Sequence, residues 1–199
     1  MIPSFTLHYV TECREYMDYS GDKEFIREIY PKLVSCVETF RNHMEDGLVM
    51  PFMGENYWNF YEWRNGLDGV DERKNVPDLI LNELLSVALQ NMAAIAAALE
   101  MENGYAKLAE TLNMRIHEVF LDKKTGIFYD FPEHHSYSQL GNALAVLCGA
   151  AETEEARAIC ERLETDSDMT PISLSMKCFK YDAWLKVNRE RYAPVVLAD

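Results

Sequence analysis

Glycine and proline are scarce: nine and seven in 199 residues, too few for long stretches of linker. Basic residues are scarce too. Nineteen Lys and Arg face 33 Asp and Glu, a net charge of −14. Nucleic acid and anionic membrane surfaces need clustered cations, so both are excluded as expected partners. A neutral ligand such as a sugar stays compatible. The five cysteines are odd in number and form no CxxC. They read as free thiols in a reducing compartment, which sets a cytoplasmic expectation. Met1 leads into Pro3 and Ser4 without a basic leader segment. The most apolar run, Leu84 to Leu99, is interrupted by Gln90 and Asn91 and is short for a bilayer. Nucleophile elbow, phosphate loop and usefully spaced Cys–His pair are all missing. Glu12, Glu15 and Glu83 stand isolated and read as structural or solvated carboxylates.

What is present is helical periodicity. Phe5, Tyr9, Cys13, Tyr16 and Met17 share one face, and Ser20-Gly21-Asp22 stops that helix and caps the next. Phe25, Ile29, Leu33, Val37 and Phe40 stripe a second helix, from about Lys23 to Met44, which Pro31 should kink or split. A third, from Pro77-Asp78 to about Met101, is apolar nearly all round and should be buried on most sides. Tyr105 to Leu121 has a single stripe and reads as an outer helix. Thr125-Gly126 before Ile127-Phe128-Tyr129 predicts a short ribbon. Ser138 to Ala151 is broadly apolar again, and a striped helix capped by Thr153 follows. The next apolar helix runs from Ile172 to about Val187, with a short helix near Arg189 interrupted at Pro194.

Inner and outer helices therefore alternate, and so do short and long connections. Residues 45–77, 122–137 and 165–172 are the long ones. Antiparallel helical hairpins joined this way bring every long loop to one face. The fold class is all-α: part of an (α/α)6 toroid, with short β-ribbons in the long loops. Residues 1–199 are expected to form one domain. No residue-level repeat of the tetratricopeptide kind is visible.

The chemistry is concentrated in Asn56-Tyr57-Trp58-Asn59-Phe60-Tyr61-Glu62-Trp63-Arg64-Asn65-Gly66-Leu67, inside the longest loop. Aromatic faces stack on pyranose C–H faces, while carboxylates and Arg bind hydroxyls by charge-assisted hydrogen bonds. The same Trp residues could also serve as packing over the mouth of the array. Near the second loop, Phe131 to Gln139 contains His134-His135. Their spacing supplies no third ligand, so neither metal nor cofactor is expected. Tyr137 and Gln139 could point into a cleft from the start of an inner helix.

The run from Tyr19 to Pro31, then Asp46-Gly47-Leu48, then Trp58-Asn59-Phe60-Tyr61-Glu62-Trp63, then Tyr137-Ser138-Gln139-Leu140-Gly141-Asn142-Ala143-Leu144-Ala145, resembles the catalytic domain of bacterial α-L-rhamnosidases. The resemblance covers nearly the whole chain in order. It implies a six-hairpin barrel and an inverting glycosidase, in which one carboxylic acid protonates the leaving oxygen and a second carboxylate activates water. Family members commonly carry Asp where this chain has Glu62. The family's acid lies in a segment beginning Asp-Cys-Pro and its base in a later Trp-Glu segment. Neither is found here. Six hairpins need twelve helices and this chain offers about seven. The expectation is the middle of a barrel without a complete catalytic pair. Its substrate-binding set would be Trp58, Asn59, Glu62, Trp63, Arg64, Tyr137 and Gln139, its ligand a rhamnoside-like carbohydrate, and its apolar edges free to self-associate. A non-catalytic α/α scaffold for a sugar or protein is the alternative. An epimerase or lyase on an α/α toroid is a third reading.

Overall fold

The computed structural model describes residues 1–70, 75–133, 136–165 and 168–198. Seven α-helices are found among them: α1 (Pro3–Ser20), α2 (Lys23–Arg41), α3 (Leu79–Ala98), α4 (Tyr105–Phe120), α5 (Gln139–Cys148), α6 (Thr153–Thr165) and α7 (Lys177–Ala198). Two antiparallel ribbons lie between them: β1 (Met44–Glu45) with β2 (Leu48–Val49), and β3 (Leu121–Asp122) with β4 (Ile127–Phe128).

α3 is the organising element. It is rich in leucine and alanine and packs against α1, α2, α4 and α5. At 20 residues it is long and apolar enough by itself to cross a membrane, but its surface is spent on these neighbours. α5 repeats the arrangement one step along, between α3, α6 and α7. The odd-numbered helices thus form the inner row and α2, α4 and α6 the outer one. At the centre, His8 of α1 lies 5.8 Å from Phe179 of α7, ring to ring. The gap they share with Leu84 and Leu144 has no room for a water molecule.

Gly21 in the left-handed conformation ends α1, and Asp22 caps α2 by accepting from the Phe25 N–H. Pro31 does not split α2, which runs unbroken from Lys23 to Arg41. It faces solvent, where water can take the carbonyl that its missing N–H frees. The expected helices from Ile172 and near Arg189 are realised as a 3-10 turn (Leu174–Met176) followed by α7, which breaks at Asn188 (φ −155°, ψ 88°). There the Asn188 side chain accepts from the Arg191 N–H and restarts the helix.

A geometric repeat exists that the sequence does not display. Asp46 and Gly47, both at positive φ, close the β1–β2 hairpin as a tight two-residue turn. Asn82, in the first turn of α3, then accepts from the Val49 N–H (2.7 Å) and donates to the Val49 and Asp78 carbonyls. Asn142 in α5 does the same for Phe128: it accepts from its N–H (2.9 Å) and donates to the Phe128 and Ser138 carbonyls. Asp78 and Ser138 are the two helix caps. Each ribbon is therefore pinned to the N-terminus of the following inner helix by a buried asparagine.

Candidate functional site on the loop face

The three long connections meet at the N-terminal ends of the inner helices. The Leu79 N–H donates to the Asp130 carbonyl, the Gln139 N–H to Thr170, and Arg64 to Pro171. This confirms by contact that the long loops share one face, the arrangement the alternating connection lengths predict.

The aromatic segment lies on that face. Trp63 is 64% exposed and Trp58 36% exposed, with ring centroids 5.9 Å apart and edge to face. Phe60 lies beneath both, 5.0 Å from Trp58 and 4.8 Å from Trp63, and it also meets Phe5 of α1. Trp58 is fixed: its indole N–H donates to the Asp68 carbonyl at 2.7 Å, and Gly69 lies against its ring. A Cβ at Gly69 would stand 2.7 Å from the Trp58 ring, and φ there is +69°, so only glycine suits the position. Among the described residues, Trp63 has no such cover.

The polar members of the expected set behave differently. Glu62 is 0% exposed, and its Oε2 accepts from the Ser173 N–H at 2.6 Å. Its Oε1 is buried without a hydrogen-bond partner among the described residues. Burial pushes the Glu62 carboxyl above its ordinary pKa, while the Ser173 hydrogen bond and nearby Arg64 pull the other way. Arg64 donates to the Pro171 carbonyl at 2.8 Å and to Ile172 at 3.4 Å. Gln139 accepts from the Ile172 N–H at 3.3 Å. Two residues of the first loop and the first residue of α5 thus converge on one backbone strip of the third loop. Asn59 is buried and donates to the Phe52 carbonyl. Tyr137 stands apart from this group: its hydroxyl donates to Asp122 and its ring stacks on Tyr129 in the β3–β4 ribbon. His134 and His135 lie outside the described residues. Among the described residues, no group of three or more His, Cys, Asp or Glu could hold a metal ion.

Beneath the face is a cluster of carboxyl groups. Asp78 caps α3 and accepts from the Tyr61 hydroxyl at 2.7 Å. Asp130 accepts from the Ser138 hydroxyl, and burial raises its pKa to about 7. Glu83 is wholly buried and neither of its oxygens has a hydrogen-bond partner among the described residues. Burial, then the charges of Asp130 and Asp78, hold its carboxyl well above the ordinary range.

The model of the bacterial alpha-L-rhamnosidase 6 hairpin glycosidase domain matches residues 2–175. The chain belongs to that family. A GH78 family rhamnosidase of Bacillus sp. GL1 has a similar crystal structure, at 27% identity and a TM-score of 0.81, over 96% of this chain and 20% of that one. A rhamnosidase from Klebsiella oxytoca with rhamnose bound is 18% identical, with a TM-score of 0.77, over 98% of this chain and 37% of that one. At that identity the likeness is one of fold. The chain thus spans well under half the length of either rhamnosidase. No curated protein matches it. Within this six-hairpin glycosidase domain, sequence reading overlooked Ser173 and Asp130. Ser173 contributes its backbone N–H, which leaves no side-chain signal. Asn82 and Glu83 did leave one, as polar residues near the start of a largely apolar helix.

Proposed function

We propose that this chain supplies the sugar-facing loop surface of an α-L-rhamnosidase-type glycoside hydrolase and holds a terminal rhamnosyl unit against Trp63 and Trp58. The exposed indole pair carries this reading. A Trp left 64% exposed, beside a second Trp fixed by Gly69 and Asp68, offers a rigid apolar surface at the mouth of the array. Such a surface suits the C–H face of a pyranose. Membership of the rhamnosidase family favours a rhamnoside over other sugars.

In this reading the chain is one domain and the middle of a toroid, and hydrolysis in the inverting sense belongs to a complete barrel. The carboxyls found here are ill placed for that chemistry: Glu62 and Glu83 are both sealed from solvent. Calorimetric titration with L-rhamnose should give saturable binding, while an aryl rhamnoside should not be turned over by this chain alone. Turnover that survives purification would overturn the division of labour, and absence of binding would overturn the sugar assignment. The free thiols of Cys13, Cys148 and Cys160 suit a reducing, cytoplasmic setting. Self-association belongs to the same reading, through exposed Phe5 and Tyr16 on α1 and Leu197 on α7. Sedimentation equilibrium should show a concentration-dependent mass. A monomer at all concentrations would remove that part.

A further inference from the structure

The strip from Thr170 to Ser173 has no secondary structure of its own beyond one bridge, yet none of its backbone polar groups is left over. The Thr170 N–H goes to the Tyr137 carbonyl, and the Thr170 carbonyl accepts from the Gln139 N–H. Arg64 takes the carbonyls of Pro171 and Ile172. The Ile172 N–H goes to the Gln139 side chain and the Ser173 N–H to Glu62. The Ser173 carbonyl accepts from Met176. The side chains that complete the set come from the aromatic loop and the first residue of α5, distant in sequence and polar in a region otherwise given to packing. Directly after the strip stands Leu174, 85% exposed, followed by Met176, which lines the same dry gap as His8 and Phe179.

From this we infer that Glu62, Arg64 and Gln139 are positioning residues: they bind no sugar themselves but clamp residues 170–173, so that the Ser173–Met176 turn forms a fixed wall beside the Trp platform. This rests on the reading of that platform as the sugar site. A sugar hydroxyl cannot replace the backbone donor on the sealed Glu62 carboxyl without breaking the clamp. An exposed leucine on a clamped turn is, by contrast, an ordered apolar surface available to a sugar at no further ordering cost.

Ser173 provides one probe and Glu62 a second. The Ser173 backbone (φ −75°, ψ 160°) lies in proline's range, but Ser173→Pro puts the ring Cδ where the N–H met Glu62 at 2.6 Å, so the carboxylate must move away, and it also removes the hydroxyl that meets Ser175. Glu62→Leu removes the acceptor, and Glu62→Gln keeps a carbonyl oxygen in its place. Loss of one such bond should speed amide exchange of the N–H groups in residues 172–176 by roughly tenfold and weaken L-rhamnose binding by a similar factor. Both effects are expected in Ser173→Pro and Glu62→Leu, with α3 amides unchanged, and Glu62→Gln should restore both toward wild type. Exchange is read without ligand, so it tests the clamp even if the wild-type chain binds no rhamnose, in which case the platform reading falls by itself. Unchanged exchange in Ser173→Pro and Glu62→Leu would overturn the clamp. Rhamnose binding lost in Glu62→Gln with exchange unchanged would make Glu62 a direct ligand and overturn the inference. Full binding in a loosened Ser173→Pro would do the same for the wall.

Discussion

A carboxyl taken out of water must be paired or keep its proton, because desolvation opposes the charged form. Glu83 is sealed between helices with neither oxygen bonded among the described residues, and Asp130 lies close enough to oppose its charge. The folded state therefore holds protons that the unfolded chain releases. For such raised groups, stability is fully present below the ordinary carboxylate pKa and is lost as pH rises through the folded value. For Asp130 that window runs from its ordinary 3.8 up to about 7. Among the described residues, Asp78 and Cys148 are the other titratable groups coupled to Glu83. Denaturant melts should show stability falling as pH rises from about 4 to about 7, the window set by Asp130. Asp130→Asn should flatten that fall, and Glu83→Gln should be more stable than wild type at the upper end. Parallel pH curves for wild type and both variants would show that these carboxyls do not carry the dependence.

At the scale of elements, asparagine does what a longer sheet would otherwise do. A two-residue strand cannot hold itself, so each ribbon borrows an amide from the next inner helix. Asn82→Ala should leave the Val49 N–H and carbonyl buried without partners, and Asn142→Ala should do so at Phe128. Each change should cost about 2–4 kcal/mol in chemical denaturation. A cost near zero would mean that water satisfies the ribbon. The helices themselves were legible because apolar spacing and capping residues are local signals: the Ser20-Gly21-Asp22 stop and the Thr125-Gly126 turn both stand where the sequence puts them. The ribbon pins were not, because the Val49 to Asn82 and Phe128 to Asn142 separations differ, 33 against 14 residues, which hides the repeat. The aromatic loop was legible as a loop, but the partners of Glu62 and Arg64 were not. They are backbone groups 107 to 111 residues away, on a strip whose side chains advertise nothing.

For the whole molecule, alternating short and long connections place all chemistry-bearing loops at one end of the inner helices. That end is aromatic at its surface. In the proposed reading a sugar lies on that face, against Trp63, with Trp58 behind it and the Ser173–Met176 turn to one side. Stacking of this kind contributes about 1 kcal/mol or more beyond simple burial, so its loss should be readable as an affinity change. The most direct test is L-rhamnose titration of the wild-type chain and Trp63→Ala, followed calorimetrically under one buffer. Saturable binding that weakens roughly tenfold in Trp63→Ala, with the fold intact by far-UV circular dichroism, is the result expected. Equal affinity in the two proteins, or no binding by the wild-type chain, would contradict it.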